Sequence, residues 1–163
     1  MSEPASSPAS PAVGFVSPEV LASMGGLDFL QGIATGQFPR PPIFSLFGFE
    51  LGDLERGRVV FTGVPDQRHY NPLGIVHGGY AATVLDSCMG CAVHSTLEKG
   101  SGYTTLEFKI SFVRAMTDKT GPVAAEGKVL HAGRRTATAE GMLKDANGRL
   151  LAHATTTCLI FDI

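Results

Sequence analysis

Apolar and polar residues alternate along much of the second half of the chain, with the period of two that is typical of β-strands. The clearest stretch is 103–113, where Leu, Phe and Ile alternate with Thr, Glu, Lys and Ser. Ala-Gly at 132–133 and Asn-Gly at 147–148 are turn signals between later β-prone segments. The other segments that are β-prone and bounded by turn residues are 56–64, 122–131, 135–145 and 150–161. The pattern predicts an antiparallel sheet whose last three strands form a meander.

The segment between the first two predicted strands lacks this alternation. From Gly79 to Leu97 the chain is apolar in nearly every direction of a helical projection and contains no proline. Asp86 is the only Asp, Glu, Lys or Arg in residues 69–97. Because a helix that is apolar all round is a buried helix, we predict an α+β fold in which an antiparallel sheet of five to six strands wraps around a long central helix.

The N-terminal quarter of the chain has a different composition. Residues 1–16 are rich in Ser, Pro and Ala, which is typical of disordered segments. Ser17 and Pro18 are typical of an N-cap and a first helical residue, and the apolar spacing that follows ends near Gly36. Three prolines at positions 39, 41 and 42 then end the helical structure and lead into an extended segment. We expect the following parts: a disordered extension at 1–16, a helical segment with a Pro-rich linker at 17–42, and a core domain at 43–163.

Composition and charge narrow the function classes. The chain has 163 residues, of which 44% are apolar and 17% charged, as in a globular domain with a real core. Its net charge of −2 argues against a nucleic-acid scaffold, although a few local Arg and Lys residues can still hold an anion. There is no apolar run of the ~20 residues that span a bilayer, no secretory signal pattern, and an odd count of three cysteines. We expect a cytoplasmic protein that binds neither nucleic acid nor membranes.

Asp86 is the first candidate for chemistry, because an ionised carboxylate in an apolar helix needs partners, water or a function. A position on a narrow exposed stripe of the helix would explain it equally well. The chargeless stretch before the helix ends in His77, Gly78 and Gly79. Two glycines at a helix start present free N–H groups, which can hold an oxyanion that develops on a carbonyl oxygen. A glycine turn with a structural histidine is the alternative for this motif.

Two other patterns are typical of known sites but fail on geometry or spacing, and a third is absent. Cys88 and His94 of a Cys-x2-Cys-x2-His string lie about 240° apart around one helix, so they cannot close one tetrahedral metal site. Residues 121–128 imitate a phosphate loop but have five residues between the glycines and no following Ser or Thr. The sequence has no Gly-x-Ser-x-Gly elbow, which excludes a serine thioesterase of the α/β-hydrolase type. We expect no metal site.

The order Asn71, five residues, His77-Gly78-Gly79, six residues, Asp86 resembles that of the hotdog-fold thioesterases of the phenylacetate-degradation (PaaI-like) and thioesterase-superfamily-member type. The likeness covers residues 25–163 and includes 105–112 and 133–135. The resemblance implies a hotdog fold and hydrolysis of an aryl- or medium-chain acyl-CoA to the free acid and CoA. It implies no cofactor, since coenzyme A is part of the substrate.

The resemblance also implies roles for individual residues. Asp86 would be the nucleophile or general base, and the Gly78 N–H would polarise the thioester carbonyl. His77 and Asn71 would orient the substrate near the departing thiolate, and Thr105 would align water. In the family the site lies between subunits of a homodimer, often within a homotetramer, so that Asp86 of one chain faces His77 and Asn71 of another. The positions implied in CoA binding are Gly79, Gly133, Arg134 and Arg135, with simple surface solvation as the alternative for each arginine.

Two other functions of hotdog domains are possible in principle. A non-catalytic acyl-CoA-binding module would need no carboxylate aimed at the carbonyl, and it would usually be fused to a DNA-binding segment. A hotdog hydratase would carry Asp-x4-His on the helix, whereas the residue five after Asp86 is Cys91. Hydrolysis of an acyl-CoA is therefore the leading hypothesis, with the binding module as its alternative.

Overall fold

A six-stranded antiparallel sheet and one long helix form the core of the structure, a computed structural model that describes residues 12–163. The strands are β1 (Phe49–Glu55), β2 (Arg58–Gly63), β3 (Ser101–Phe112), β4 (Val123–Ala132), β5 (Thr136–Asp145) and β6 (Leu150–Asp162). The helices are α1 (Pro18–Ala22), α2 (Gly26–Ala34), α3 (Pro42–Phe47), the short 3₁₀ helix Gln67–His69, and α4 (Gly78–His94). The sheet packs around α4, which confirms the predicted α+β hotdog architecture.

The strand order across the sheet is β1-β2-β4-β5-β6-β3. The strands β4, β5 and β6 are neighbours in sequence and in space, so the predicted meander is confirmed. The two predicted turns lie at 132–133 and 147–148, and Gly148 has the positive φ of 76° that its turn requires. β3 pairs with β6 on one side and lies at the edge of the described sheet.

The central helix α4 is buried along most of its surface. Its close approach to the sheet depends on Gly127 of β4, where a Cβ atom would collide with the Cys88 carbonyl group. A half-buried stripe nevertheless runs along the helix at the spacing of one helical turn. Its members are Ala82, Thr83, Asp86, Ser87 and Cys91. The carboxylate of Asp86 therefore lies on the part of α4 that the sheet leaves uncovered.

The N-terminal region agrees with its predictions in part. α1 begins at Pro18, and the Ser17 hydroxyl accepts the Val20 N–H at 3.4 Å, as predicted. The predicted extended segment after the prolines is wrong, because α3 begins at Pro42, where proline lacks only an N–H that has no acceptor at a helix start. The strand β1 that follows was not predicted.

The expected disordered extension falls mostly outside the described residues. At its described end, the Gly14 N–H donates to the Arg40 carbonyl at 3.0 Å and the Arg40 N–H donates to the Ala12 carbonyl at 2.7 Å. The boundaries expected for the three parts of the chain stay predictions. Between residues 12 and 163, no helix is long and apolar enough to cross a membrane.

Candidate active site

Asp86 and Thr105 lie together, as the resemblance implies. The Thr105 hydroxyl, on β3, donates to Asp86 Oδ1 across 3.0 Å. Among residues 12–163 no Lys or Arg forms an ion pair with Asp86, and its Oδ2 has no hydrogen-bond donor. Asp86 is half-buried. One oxygen of its carboxylate accepts the Thr105 hydroxyl, and the other has no partner within the described residues. Such a group can accept a proton from water or attack a carbonyl carbon.

Asp86 faces a cleft of about 530 Å³, which is in the size range of small-molecule sites. The cleft is mostly apolar. Its apolar walls include Phe29, Leu30 and Ile33 of α2, Phe44 of α3, and Phe161 and Ile163 from the end of the chain. The helices α2 and α3, which precede the sheet in the chain, therefore supply much of the wall beside the carboxylate. An acyl chain or an aromatic ring has the polarity and the size that this cleft accepts.

Of the two glycine N–H groups that we predicted to be free at the helix start, one is free within the described residues. The His77 ring caps α4, and its Nδ1 accepts the Gly79 N–H at 2.8 Å. The prediction of a free Gly79 N–H is therefore wrong, because the His77 side chain already accepts its hydrogen bond. Because Nδ1 accepts, a neutral His77 must carry its proton on Nε2, and the residue as a whole is exposed. Within the described residues the Gly78 N–H meets no acceptor, so it is available to a carbonyl oxygen.

Gly78 packs directly beneath the far end of β3. A Cβ atom at this position would lie 2.9 Å from the Phe112 ring, so any larger residue would displace that ring. The start of α4 is therefore attached to the Phe112 end of the strand. Asp86, through Thr105, is attached to the other half of the same strand.

Asn71 organises the loop before α4. Its Oδ1 accepts the Leu73 N–H at 2.9 Å and the Ile75 N–H at 3.4 Å. Its side-chain amide nitrogen has no acceptor among residues 12–163 and can donate to a ligand. Asn71 therefore has a local structural role in addition to the binding role that the resemblance implies.

The chain does not bring Asn71, His77 and Gly78 to its own Asp86. Asp86 lies eight residues after Gly78, which corresponds to about 12 Å along the helix. Asn71 and Gly78 line one cleft, of about 370 Å³, and His77 lines another, of about 440 Å³. Neither of these clefts includes Asp86. The site implied by the resemblance is incomplete within one chain.

The residues expected to hold coenzyme A lie in the turn between β4 and β5. The Gly133 N–H donates to the Thr136 carbonyl at 2.8 Å and closes this turn. Arg134 and Arg135 are exposed and form no ion pair within the described chain. The Ile160 N–H donates to the Arg135 carbonyl at 2.9 Å, which connects the turn to the part of β6 that enters the Asp86 cleft. Contact of either arginine with coenzyme A stays a prediction.

His94 also lines the Asp86 cleft, and sequence reasoning did not assign it a role. His94 is buried, and its ring is nearly perpendicular to the Phe29 ring, with the two centroids 5.6 Å apart. Burial lowers the pKa of His94 to about 4. The only sequence feature at His94 is the Cys-x2-Cys-x2-His string, which helix geometry excludes as a metal site. Its position in the cleft could not be predicted, because contacts between α2 and α4 cannot be read from spacing. Burial also raises the pKa of the Cys91 thiol to about 12, so this thiol stays protonated at neutral pH.

The low pKa of His94 predicts a loss of stability in acid. Below its ordinary pKa of 6.5 the unfolded chain binds a proton at this imidazole, whereas the folded chain binds it only near pH 4. Stability should therefore fall as the pH drops from about 6.5 to 4, by up to about 3 kcal/mol from this residue. Urea unfolding of the wild type and of His94→Phe across this range isolates the contribution. Equal slopes of stability against pH in the two proteins would contradict it.

Comparison with known proteins agrees with this geometry. Residues 73–152, which contain both Gly78 and Asp86, match the thioesterase superfamily. A Saccharolobus solfataricus protein named as a candidate esterase is 34% identical over 113 residues, which are 69% of this chain and 78% of that protein. A phenylacetic acid degradation-related protein from Ralstonia eutropha is 27% identical with a TM-score of 0.74, covering 80% of this chain and 98% of its own.

A Streptococcus mutans structure bound to acetyl-CoA is 26% identical, with a TM-score of 0.65 over 71% of this chain and 90% of that one. The family match includes the helix-start motif and the carboxylate, and the structural similarity extends through the sheet. The chain therefore belongs to the thioesterase superfamily, as a hotdog-fold member of the phenylacetate-degradation (PaaI-like) type.

Proposed function

We propose that this protein hydrolyses an acyl-CoA thioester to the free acid and coenzyme A, with Asp86 as its catalytic carboxylate. The observation that carries the proposal is the Asp86 carboxylate itself, held by Thr105 at one oxygen and free at the other, beside an apolar cleft. Membership of the thioesterase superfamily and the similarity to the acetyl-CoA-bound S. mutans protein support it.

Two routes of hydrolysis are compatible with this carboxylate. As a general base, Asp86 takes a proton from water while the water oxygen attacks the thioester carbon. As a nucleophile, it attacks the same carbon to form an anhydride, which water then cleaves. In both routes the C–S bond breaks, and the thiolate leaves readily because the pKa of a thiol is only about 8.5. The net change is consumption of one water per acid and thiol formed.

The oxygen of the thioester carbonyl needs a donor as negative charge develops on it. The free N–H of Gly78, at the positive end of α4, is suited to this because it is fixed before the reaction begins. Asp86 of the same chain lies about 12 Å from Gly78 along the helix, which is too far for both to act on one thioester. We therefore propose that the Gly78 N–H of one subunit serves the Asp86 of another.

The free edge of β3 supports such a shared site. Apolar side chains along and just after this strand are half exposed or more: Leu106 is 57%, Phe112 58% and Val113 50% exposed. Two copies of β3 paired antiparallel about a two-fold axis would set the Ser101 end of one beside the Phe112 end of the other. Since Thr105 holds Asp86 and Phe112 covers Gly78, this pairing would bring the two halves of the site together.

A panel of acyl-CoA esters assayed for thiol release tests the proposed function. The panel compares aromatic with aliphatic and short with long acyl groups, and each ester is also titrated into the protein to measure binding. We expect hydrolysis of at least one ester that the protein binds. Binding without release of thiol from any member would favour the non-catalytic acyl-CoA-binding module.

Substitution of His77 or Asn71 by alanine should lower kcat/KM by roughly one to three decades. The reason is loss of substrate orientation by the exposed His77 Nε2–H and the free Asn71 amide. Asn71→Asp is the matched control for loop structure, because its Oδ1 can still accept the Leu73 N–H. Steady-state kinetics of the three variants separates a role in substrate orientation from a role in the structure of the loop and the helix start. An alanine variant with unchanged kcat and KM would show that its residue acts in the fold alone.

A further inference from the structure

His94 lines the cleft that contains Asp86, and its two buried ring nitrogens are without an explained role. Its side chain is 8% exposed, and within the described structure neither ring nitrogen has a hydrogen-bond partner. The Phe29 and Tyr103 rings flank it, each with its centroid 5.6 Å away. Leaving a buried donor or acceptor unpaired costs about 1–3 kcal/mol, so such groups are rare unless a ligand or water completes them.

The position of His94 suggests what completes it. It lies eight residues after Asp86 on α4, about 12 Å further along the helix, and lines the same cleft. Between the two ends the walls are mostly hydrocarbon, with Leu30 and Ile33 among them. An acyl group with its thioester at Asp86 would extend through this apolar part of the cleft. Its remote end would then meet the imidazole.

The protonation state of His94 limits the chemistry of the group that it recognises. With its pKa lowered to about 4 by burial, the ring is neutral at physiological pH and offers one N–H donor and one acceptor nitrogen. A neutral ring does not compensate a remote carboxylate in an apolar site, because a buried charge needs an opposite charge. A hydroxyl is uncharged and can donate to or accept from the ring nitrogen that faces it, and a carbonyl oxygen can accept the N–H of the tautomer that carries its proton there.

We propose that His94 is a specificity-determining residue, which hydrogen-bonds a hydroxyl or carbonyl oxygen on the part of the acyl group remote from the thioester. The inference rests on the proposed function for the identity of the substrate as an acyl-CoA. It adds that the preferred acyl groups are oxygenated at their far end. An unsubstituted acyl chain would fill the same cleft and leave the His94 nitrogens unpaired.

The test uses the full chain with Asp86→Asn, so that esters are bound without turnover. Calorimetric titration compares octanoyl-CoA with ω-hydroxyoctanoyl-CoA, and β-hydroxyoctanoyl-CoA is the control whose hydroxyl lies near the thioester. We expect about tenfold or tighter binding for the ω-hydroxy ester relative to octanoyl-CoA, and no such gain for the β-hydroxy ester. Equal affinities for all three, or no binding of any, would overturn the inference.

Variants of His94 attribute the preference to the imidazole. In the same background, His94→Phe should bind octanoyl-CoA and ω-hydroxyoctanoyl-CoA alike, while His94→Gln should retain part of the preference through its amide. A preference that survives His94→Phe would overturn the role of His94. Should His94→Phe not fold, His94→Leu serves as a second apolar variant. The comparison of the three esters in the chain that keeps His94 still decides whether the cleft prefers an oxygen at the far end of the acyl group. Thiol release by the wild type is scored separately, so an ω-hydroxy preference without hydrolysis would contradict the proposed function and not this inference.

Discussion

Replacement of Asp86 by asparagine should lower kcat at least about 100-fold and leave the fold intact. In the structure the Thr105 hydroxyl donates to Asp86 Oδ1 across 3.0 Å. Asparagine has nearly the same shape as aspartate and keeps an Oδ1 that can accept this hydrogen bond. It lacks the negative charge and the basicity that either route of hydrolysis requires. Steady-state thiol release with the best ester of the panel, alongside circular dichroism and thermal unfolding, measures both parts of the prediction.

The matched control is the same chemical change at an exposed position. Asp53 of β1 is 79% exposed and approaches Arg58 at 3.9 Å, so its change to asparagine should leave kcat within a few-fold of wild type. Thr105→Ser keeps the hydroxyl beside Asp86 and should also retain most activity. If the Asp86 variant turned over substrate within a few-fold of wild type, its carboxylate would have no catalytic role.

The architecture of the core could be predicted because its signals are local. The segments of β4 to β6 are β-prone and bounded by turn residues, and the run of α4 before and after Asp86 carries no charge, so both kinds of element can be recognised from neighbouring residues alone. Asp86 was found by the same reasoning, since a lone charge in such a helix is unusual. The family resemblance implied that Thr105 aligns water, and no spacing rule would have supplied its contact with Asp86.

The errors occur where tertiary contacts override local pattern. A bulge between Thr105 and Glu107 breaks the alternation of β3, so Leu106, which the pattern groups with Phe108, is exposed. β1 escaped prediction because its Gly and acidic residues suit an edge strand and not a buried one. His94 could not be recognised as an unpaired group, because its surroundings come from α2 and β3, which are distant in sequence.

The assembly is the feature of the site that could least be predicted, because one sequence does not say which surfaces of two copies meet. The structure narrows this question through the separation of Asp86 from Gly78 along α4 and through the free edge of β3. If Asp86 works with Asn71 and Gly78 of the partner subunit, each site in a dimer draws on both chains. Two inactive variants that damage different halves should then restore one another.

An Asp86→Asn chain and an Asn71→Ala chain, each weakly active alone, should therefore form an active mixed dimer. One of its two sites combines both substitutions, and the other combines the intact halves of both chains. Random 1:1 assembly gives half mixed dimers, so the mixture should reach about a quarter of wild-type activity, and the isolated mixed dimer about half. The measurement is thiol release by the species purified through two different tags after co-expression. Co-expression of Asp86→Asn with itself under both tags is the control, and it should stay inactive. Activity of the mixed species no higher than the mean of its two parents would mean that each site is built within a single chain.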